Sequence, residues 1–397
     1  YKISGNIKGY EGKIYLFSYF GERKIFIDSA MVNKGEFQLT VNQNAPVGMY
    51  KFAFFKEFQP RFQGDKEVYF DLIFNKENIV LSTDATNIQD SLKFIQSNEN
   101  KILYDYMRID AKVWQQLQAM SQAYTSLDEK DLFRKVIEEK YNQIRAKHNV
   151  YTQTLLVDNL NTFAFRYIKS TRTVMPPIGL NDADMQDFIK IHYFDFIDFK
   201  DTNLLYCDLF TTHSFSFVKL SIDYGMAKPE QQKKFITAID TIFTRAKAND
   251  RVFSMIRNYI IKGFEYLDME IVLSHIAEHY MIQESCEDEA KQNSRLKMRL
   301  DAFKKLATGQ KAPGFTFNSN GKTVTLANID VPYTIIIFWA STCPHCIETL
   351  PEVHKLYQQQ KAKKFEVVAI SLDMNKAEYE TYLNKQKFSW ISYCDFM

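Results

Sequence analysis

The sequence lacks any run of about eighteen apolar residues, the length that a helix needs to cross the hydrocarbon core of a membrane. It also lacks an excess of charge of either sign, because 50 basic residues stand against 48 acidic ones and leave a net charge of +2. No basic stripe interrupts this balance, which removes the electrostatic case for binding nucleic acid. We therefore expect no transmembrane helix and no nucleic-acid partner.

Cysteine is scarce, since five residues in a chain of 397 are too few for a disulfide framework. We expect Cys207 and Cys286 to be small buried hydrophobic residues, as most scattered cysteines are. Cys343 and Cys346, by contrast, are three positions apart and closely follow the apolar run 335–339. This pair is the candidate reactive site of the chain.

The length and the changing hydrophobic period predict a multidomain protein. Residues 1–84 alternate between apolar and polar positions and contain turn signals, which predicts an all-β antiparallel sandwich. Residues 85–306 carry apolar residues at three- and four-residue steps, which predicts a central α-helical domain. After the Gly- and Pro-containing break at 309–314, residues 307–397 predict an α/β domain. We expect three separate bodies.

The C-terminal domain shows its elements most clearly. We predict strands at 323–326, 333–339 and 365–371 and helices at 344–362 and 376–386. Apolar strands separated by helices indicate a parallel sheet. In the helical domain we predict helices at 131–144, 182–198, 229–246, 250–261 and 264–282.

Aromatic residues make up 15% of the sequence, which points to aromatic-rich packing or to a ligand-facing groove. They are most concentrated at 191–198, within the predicted helical domain. We interpret this run as a packing face rather than as part of a cofactor site.

The cysteine pair lies where a predicted strand ends and a predicted helix begins. Pro344 suits the first helical position, where its missing N–H would have had no partner. A thiol here faces unpaired backbone N–H groups and the positive end of the helix dipole, which favour its thiolate. We therefore assign Cys343 as the exposed nucleophile and Cys346 as the resolving thiol. His345 adds a positive charge or a hydrogen bond that would lower the thiol pKa of Cys343 further.

Two other roles for the pair are less favoured. A zinc site would need two further ligands, and His345, His354 and Cys394 form no recognisable second half-site. A structural disulfide in so short a loop at a helix start would be strained and easily reduced.

A second motif suggests a metal elsewhere. His275, Glu278 and His279 spell H-x-x-E-H, a zinc-peptidase signature in which both histidines share a helix face. A third ligand would have to come from a downstream helix, and the chain instead enters a charged stretch and then the α/β domain. We interpret the motif as a chance match and expect no metal.

The C-terminal region has a family resemblance that several short motifs carry. These are GQKAPGF at 309–315, FWAS at 338–341, CPHC at 343–346, LP at 350–351 and VVAISLD at 367–373. Residues 309–397 resemble the thioredoxin superfamily, in particular its TlpA/ResA-like periplasmic branch. Residues 1–84 resemble the β-rich domain that precedes such modules in some secreted or lipid-anchored envelope proteins.

The resemblance implies a thiol–disulfide oxidoreductase that uses a redox-active disulfide between Cys343 and Cys346 and no other cofactor. It implies supporting roles for Trp339, Pro344, His345 and Glu348. It also implies a protein thiol or disulfide partner and a location in the periplasm or cell envelope. Since the chain opens at Tyr1 in a strand-like pattern, we expect any targeting segment to be absent from this sequence, whether removed or never included, and the relatives allow for a lipid anchor upstream of residue 1.

Three departures from the family pattern bear on the chemistry. Ile337 stands where thioredoxins proper carry a buried acid two residues before Trp339. Thr349 stands where the branch carries a glutamate, and Glu348 lies one position earlier, about 100° round the helix. The family's cis-proline loop, closing hairpin and final helix would follow Met397, so we expect a truncated thioredoxin-like fold.

These departures leave a second function open, namely an envelope binding or assembly protein that uses the thioredoxin-like domain mainly for docking. The direction of electron flow also stays open, because the Pro344-His345 dipeptide resembles that of the oxidising DsbA enzymes whereas the surrounding motifs resemble reductases. A peroxiredoxin activity is disfavoured, since Ala340 stands where that family carries a threonine.

Overall fold

A computed structural model describes residues 1–54, 68–222, 225–267, 269–280, 298, 301–302, 305–306, 309–319, 322–360 and 365–396. The chain divides into two compact units, residues 1–290 and 291–397. A β-rich beginning, a helical middle and a C-terminal α/β region confirm the predicted fold classes. None of the described helices combines the length and the apolar composition that a membrane-spanning segment needs.

Two four-stranded sheets enclose one apolar core at the N-terminus. The first sheet has the order β4 (Glu36–Thr40), β1 (Lys2–Lys8), β7 (Ile79–Asp84), β8 (Lys93–Gln96). The second has the order β3 (Arg23–Val32), β2 (Gly12–Phe20), β5 (Gly48–Phe54), β6 (Val68–Phe74). Alternate side chains of both sheets meet between them, among them Ile3, Leu16, Tyr50 and Phe52, each fully buried.

The predicted antiparallel sandwich ending at residue 84 needs two corrections. β1 and β7 are parallel, with Ile3 opposite Ile79. β8 lies beyond residue 84 and pairs antiparallel with β7, because the short helix α1 (Ile88–Ser91) turns the chain back and lets Phe94 join the core.

The helical region contains eight further helices among the described residues. They are α2 (Asn98–Ser126), α3 (Phe133–Asp158), α4 (Phe163–Thr171), α5 (Asp182–His192), α6 (Leu209–Leu220), α7 (Lys228–Ala246), α8 (Asp250–Tyr266) and α9 (Glu270–Tyr280). A 3-10 helix spans Thr202–Tyr206. The predicted break between 261 and 264 was wrong, because α8 continues through Gly263 and ends where the N–H of Leu267 bonds to the carbonyl of Gly263.

The β-rich and helical regions form one compact unit, where the sequence predicted two bodies. The side chain of Asn100 on α2 is fully buried, accepts a hydrogen bond from the N–H of Ile73 at 2.7 Å and donates one to its carbonyl at 2.8 Å. Tyr104 donates to the carbonyl of Asp71, also on β6. These bonds fix α2 against the second sheet. The predicted boundary at 307 lies outside the described residues.

Two expectations about single features can be checked in this unit. Cys207 is fully buried, as expected, whereas Cys286 lies outside the described residues. In the aromatic run 191–198, Phe194 is buried and its ring packs on those of Phe199 and Phe217. The run is therefore largely a packing face, although α5 ends at His192 rather than at 198.

The C-terminal unit is built on a parallel sheet, as predicted. The sheet has the order β11 (Tyr333–Trp339), β12 (Phe365–Ser371), β13 (Ile391–Cys394), and two helices accompany it, α10 (Pro344–Gln360) and α11 (Lys376–Gln386). A hairpin of β9 (Thr316–Ser319) and β10 (Lys322–Thr325) precedes it. The sequence did not predict β9 and β13, which are only four residues long.

Candidate active site

The turn between β11 and α10 presents both cysteines. β11 ends at Trp339 and α10 begins at Pro344, so that Cys343 is the residue just before the helix. The N–H of Cys343 donates to the carbonyl of Ala340 at 3.2 Å, and its carbonyl accepts the N–H of Ile347 at 3.0 Å. The predicted order of strand, Cys-Pro-His-Cys and helix is thus present.

The two thiols are free and differ in their proton affinity. A hydrogen bond from the Cys346 thiol lowers the pKa of Cys343, and the backbone N–H groups of Cys346 and His345 lower it further. The same bond raises the pKa of Cys346, to which burial adds. Cys343 is therefore the thiol that ionises first. The sequence predicted that the imidazole of His345 would lower the pKa of Cys343. In the structure, His345 lowers this pKa through its backbone N–H.

The surroundings of the two thiols differ as well. Both are half-buried, but Cys346 packs against an apolar cluster that includes Trp339, and Cys343 is not part of that cluster. Trp339 is 2% exposed, and its ring lies 5.8 Å from that of Tyr379 and 5.4 Å from that of Tyr382. The Trp ring thus forms part of the apolar floor beneath the resolving thiol.

The other residues singled out from the sequence lie at the surface. Pro344, His345, Glu348 and Thr349 are exposed. Pro344 occupies the first helical position, as predicted. Among the described residues, no hydrogen bond or ion pair holds the Glu348 carboxylate.

A buried hydrogen-bond network supports the turn, and the sequence analysis missed its role. Asp373 is 5% exposed and accepts bonds from the N–H of Ser341 at 3.0 and 2.9 Å and from its hydroxyl at 2.7 Å. The Ser371 hydroxyl donates to the other carboxylate oxygen at 2.5 Å. The hydrogen bond to Cys343 and burial are the main causes that raise the pKa of Cys346, and the negative charge of Asp373 raises it further.

One signal could have identified Asp373. It follows the end of β12, and the carboxyl ends of parallel strands meet at one edge of a sheet, the same edge as the cysteine turn. Cys394 ends β13 at that edge, opposite Ser371, and its thiol donates to the carbonyl of Asp373 at 3.1 Å.

The candidate metal ligands have other contacts. His354 is buried, and its Nε2 accepts the N–H of Ser389 at 3.0 Å. In the H-x-x-E-H motif, Nε2 of His275 bonds to Asp240 at 2.8 Å and Nδ1 of His279 lies 2.9 Å from the carbonyl of His275. Within the described ranges, no three His, Cys, Asp or Glu residues are grouped so that they could hold a metal ion.

Comparison with known proteins gives two domain matches. Residues 308–395 match the AhpC/TSA family, and residues 1–103 match a domain of unknown function, DUF4369. A curated relative, the thiol-disulfide oxidoreductase ResA of Oceanobacillus iheyensis, is 28% identical over 82 residues, which are 19% of this chain and 43% of the relative. The chain thus matches less than half the length of that relative.

Two solved structures are also similar to parts of this chain, with low TM-scores. A thioredoxin-like protein from Bacteroides caccae is 21% identical with a TM-score of 0.39, over 57% of this chain and 82% of that one. A thiol-disulfide oxidoreductase from Bacteroides fragilis is 30% identical with a TM-score of 0.21, over 22% of this chain and 67% of that one. The sequence matches carry the conclusion that the chain has a thioredoxin-like domain of the AhpC/TSA family, preceded at its N-terminus by a β-rich DUF4369 domain.

Proposed function

We propose that the chain is a thiol–disulfide oxidoreductase that acts on protein or small-molecule disulfides through Cys343 and Cys346. The observation that carries the proposal is the position of the Cys-Pro-His-Cys motif, which lies where β11 ends and α10 begins. The opposite directions of the two pKa shifts support it, because Cys343 then ionises before Cys346. A thiolate beside a protonated thiol is the arrangement that disulfide exchange requires.

In the reducing direction, the Cys343 thiolate attacks one sulfur of the substrate disulfide. A mixed disulfide forms, and the other substrate sulfur leaves as a thiolate that takes up a proton. Cys346 then loses its proton and attacks the sulfur of Cys343, which releases the second substrate thiol. Two electrons have passed to the substrate and the pair is left as a disulfide, which a dithiol reductant would restore. The oxidising direction is the reverse.

The causes of the Cys346 pKa shift suggest how this thiol is activated without the glutamate that Thr349 replaces. The main cause of its raised pKa is the hydrogen bond to Cys343, which favours the protonated thiol while Cys343 is a thiolate. Once Cys343 is bound in a mixed disulfide, its negative charge is gone and this cause disappears. The Cys346 thiol would then ionise more readily, at the step that needs its thiolate.

The proposed site needs no cofactor besides the disulfide. Its partner would be a protein thiol or disulfide, and its location the periplasm or cell envelope. These parts of the proposal are supported by the motifs shared with the TlpA/ResA-like branch and by the ResA relative. Fractionation of the producing cells, with an antibody against the protein, tests the location: recovery in the cytoplasmic fraction would contradict it.

A docking role remains the alternative, and one observation favours it. His345 and Glu348, the ionisable side chains nearest the pair in sequence, are exposed, and Ile337 and Thr349 replace acids of the family pattern. Reduction of insulin disulfides separates the two functions. We expect activity that Cys343→Ser abolishes and Cys394→Ser, a matched change of a third thiol, preserves. A wild-type rate no higher than that of Cys343→Ser would favour docking.

A further inference from the structure

A cavity of about 460 Å³ lies in the N-terminal unit, among α2, α3, α5 and the segment 173–176. This volume lies within the range of about 300 to 1,000 Å³ that is usual for small-molecule sites. Trp114, Leu117 and Ser121 line it from one face of α2, since they are three and four residues apart. From α5 it is lined by Met185, Ile189 and His192.

The walls of the cavity are held in place by contacts of their own. The Tyr141 hydroxyl on α3 donates to the carbonyl of Pro176 at 2.9 Å, and Nη2 of Arg145 donates to that of Met175 at 2.6 Å. Both bonds tie the segment 173–176 to α3. The ring of Tyr193, which also lines the cavity, packs at 5.2 Å on that of Phe217. The space is therefore preformed, which reduces the entropy that a ligand must overcome on binding.

The lining selects for an aromatic, uncharged ligand. It is mainly apolar and contains the rings of Trp114, Tyr141 and Tyr193, which offer faces and edges for ring contacts. No Asp, Glu, Lys or Arg is among the described residues that line it. An ionised group would lose its hydration there without gaining a partner of opposite charge, which is costly.

Several polar groups line the cavity, and those of His192 and Trp114 are two that can receive a ligand. Nδ1 of His192 is engaged by Oδ2 of Asp195 at 2.7 Å, so Nε2 is the ring nitrogen left for a ligand. Among the described residues, the indole N–H of Trp114 has no acceptor. A ligand with a hydroxyl or amide group could thus be oriented as well as enclosed.

We propose that this cavity is a binding site for a neutral aromatic small molecule that carries one hydroxyl or amide group. The site is built entirely from the N-terminal unit and does not depend on the proposed redox function. It also gives the aromatic run 191–198 a second role, because the last residue of α5 and Tyr193 face the cavity while Phe194 packs in the core.

Equilibrium dialysis of the full chain against 2-naphthol and naphthalene tests the proposal, because these probes differ by one hydroxyl group. We expect one saturable site per chain, with 2-naphthol bound about tenfold more tightly, as one added hydrogen bond would give. His192→Phe should remove this preference and leave naphthalene binding unchanged. The absence of saturable 2-naphthol binding up to about 1 mM would overturn the proposal.

Two variants that fill the cavity locate the site. Ser121→Phe on α2 and Ile189→Trp on α5 should each abolish binding of both probes, whereas Gln122→Phe, an exposed neighbour on α2, should not. Circular dichroism identifies a cavity-filling variant that fails to fold, and the remaining cavity-filling variant then tests whether the cavity is the site. Unchanged binding in a folded cavity-filling variant, or equal loss in Gln122→Phe, would refute the cavity as the site.

Discussion

Interaction with the Cys346 thiol lowers the pKa of Cys343, and the same interaction raises the pKa of Cys346. The nucleophile and the resolving thiol are thus distinguished by their mutual contact more than by the surrounding side chains. Variants that keep or remove the donor can test this dependence.

Replacing Cys346 by alanine should raise the pKa of Cys343 towards that of an ordinary cysteine, because the donated hydrogen bond is the largest cause that lowers it. Cys346→Ser provides the control, since its hydroxyl can still donate and should leave the Cys343 pKa lowered. The pH dependence of alkylation by iodoacetamide measures both. Equal pKa values of Cys343 in the two variants would contradict the prediction.

His345→Ala should leave the pKa of Cys343 unchanged, because the contribution of this residue comes from its backbone N–H. His345→Pro removes that N–H and should raise the pKa, and proline is tolerated in the first turn of a helix. The same alkylation profile compares them. If His345→Ala shifted the profile as far as His345→Pro, the imidazole would be the active group, as the sequence first suggested.

The local features of this site could be predicted from the sequence because they depend on neighbours in the chain. The apolar run predicted β11, and Pro344 predicted where α10 begins. The parallel sheet could have predicted that Asp373 lies at the same edge as the cysteine turn, but not its bonds to Ser341, since 32 positions separate the two residues and their spacing does not indicate which polar groups pair. The same holds for Asn100, whose helical pattern does not reveal that its amide reaches Ile73 on β6.

Asp373→Asn should destabilise the C-terminal unit by about 1–3 kcal/mol, because an amide NH₂ in place of one oxygen leaves the hydroxyl of Ser341 or of Ser371 without its acceptor. It should also lower the pKa of Cys346, since a neighbouring negative charge is lost. The loss of stability is measured by urea unfolding, followed by tryptophan fluorescence in a Trp114→Phe background. In that background the remaining tryptophans, Trp339 and Trp390, both lie in the C-terminal unit.

The exposed Asp330 offers the matched control for this change. Asp330→Asn should alter neither the urea midpoint nor the Cys346 pKa. A stable Asp373→Asn variant with an unchanged Cys346 pKa would show that the buried network has no part in holding the turn or in tuning the resolving thiol.

Asp71 on β6 makes the stability of the N-terminal unit depend on pH. Burial, with a smaller contribution from the charge of Asp208, raises its pKa from 3.8 to about 6, although the hydrogen bond from Tyr19 and the charges of Lys51 and Lys24 act in the opposite direction. The folded chain therefore binds this proton more tightly than the unfolded chain does. The resulting stabilisation is fully present below about pH 4 and is lost as the pH rises through about 6.

Asp71→Asn should remove this dependence, because asparagine carries no charge at any of these pH values and its side-chain oxygen can still accept the Tyr19 hydroxyl. We expect the variant and the wild type to be about equally stable near pH 4, and the variant to be the more stable of the two at pH 7. Urea midpoints from Trp114 fluorescence between these pH values, in a Trp339→Phe, Trp390→Phe background, measure the difference, with Glu11→Gln as the exposed control. A difference that stayed constant from pH 4 to pH 7 would mean that Asp71 is as easily ionised in the folded chain as in the unfolded one, and that burial does not govern its charge.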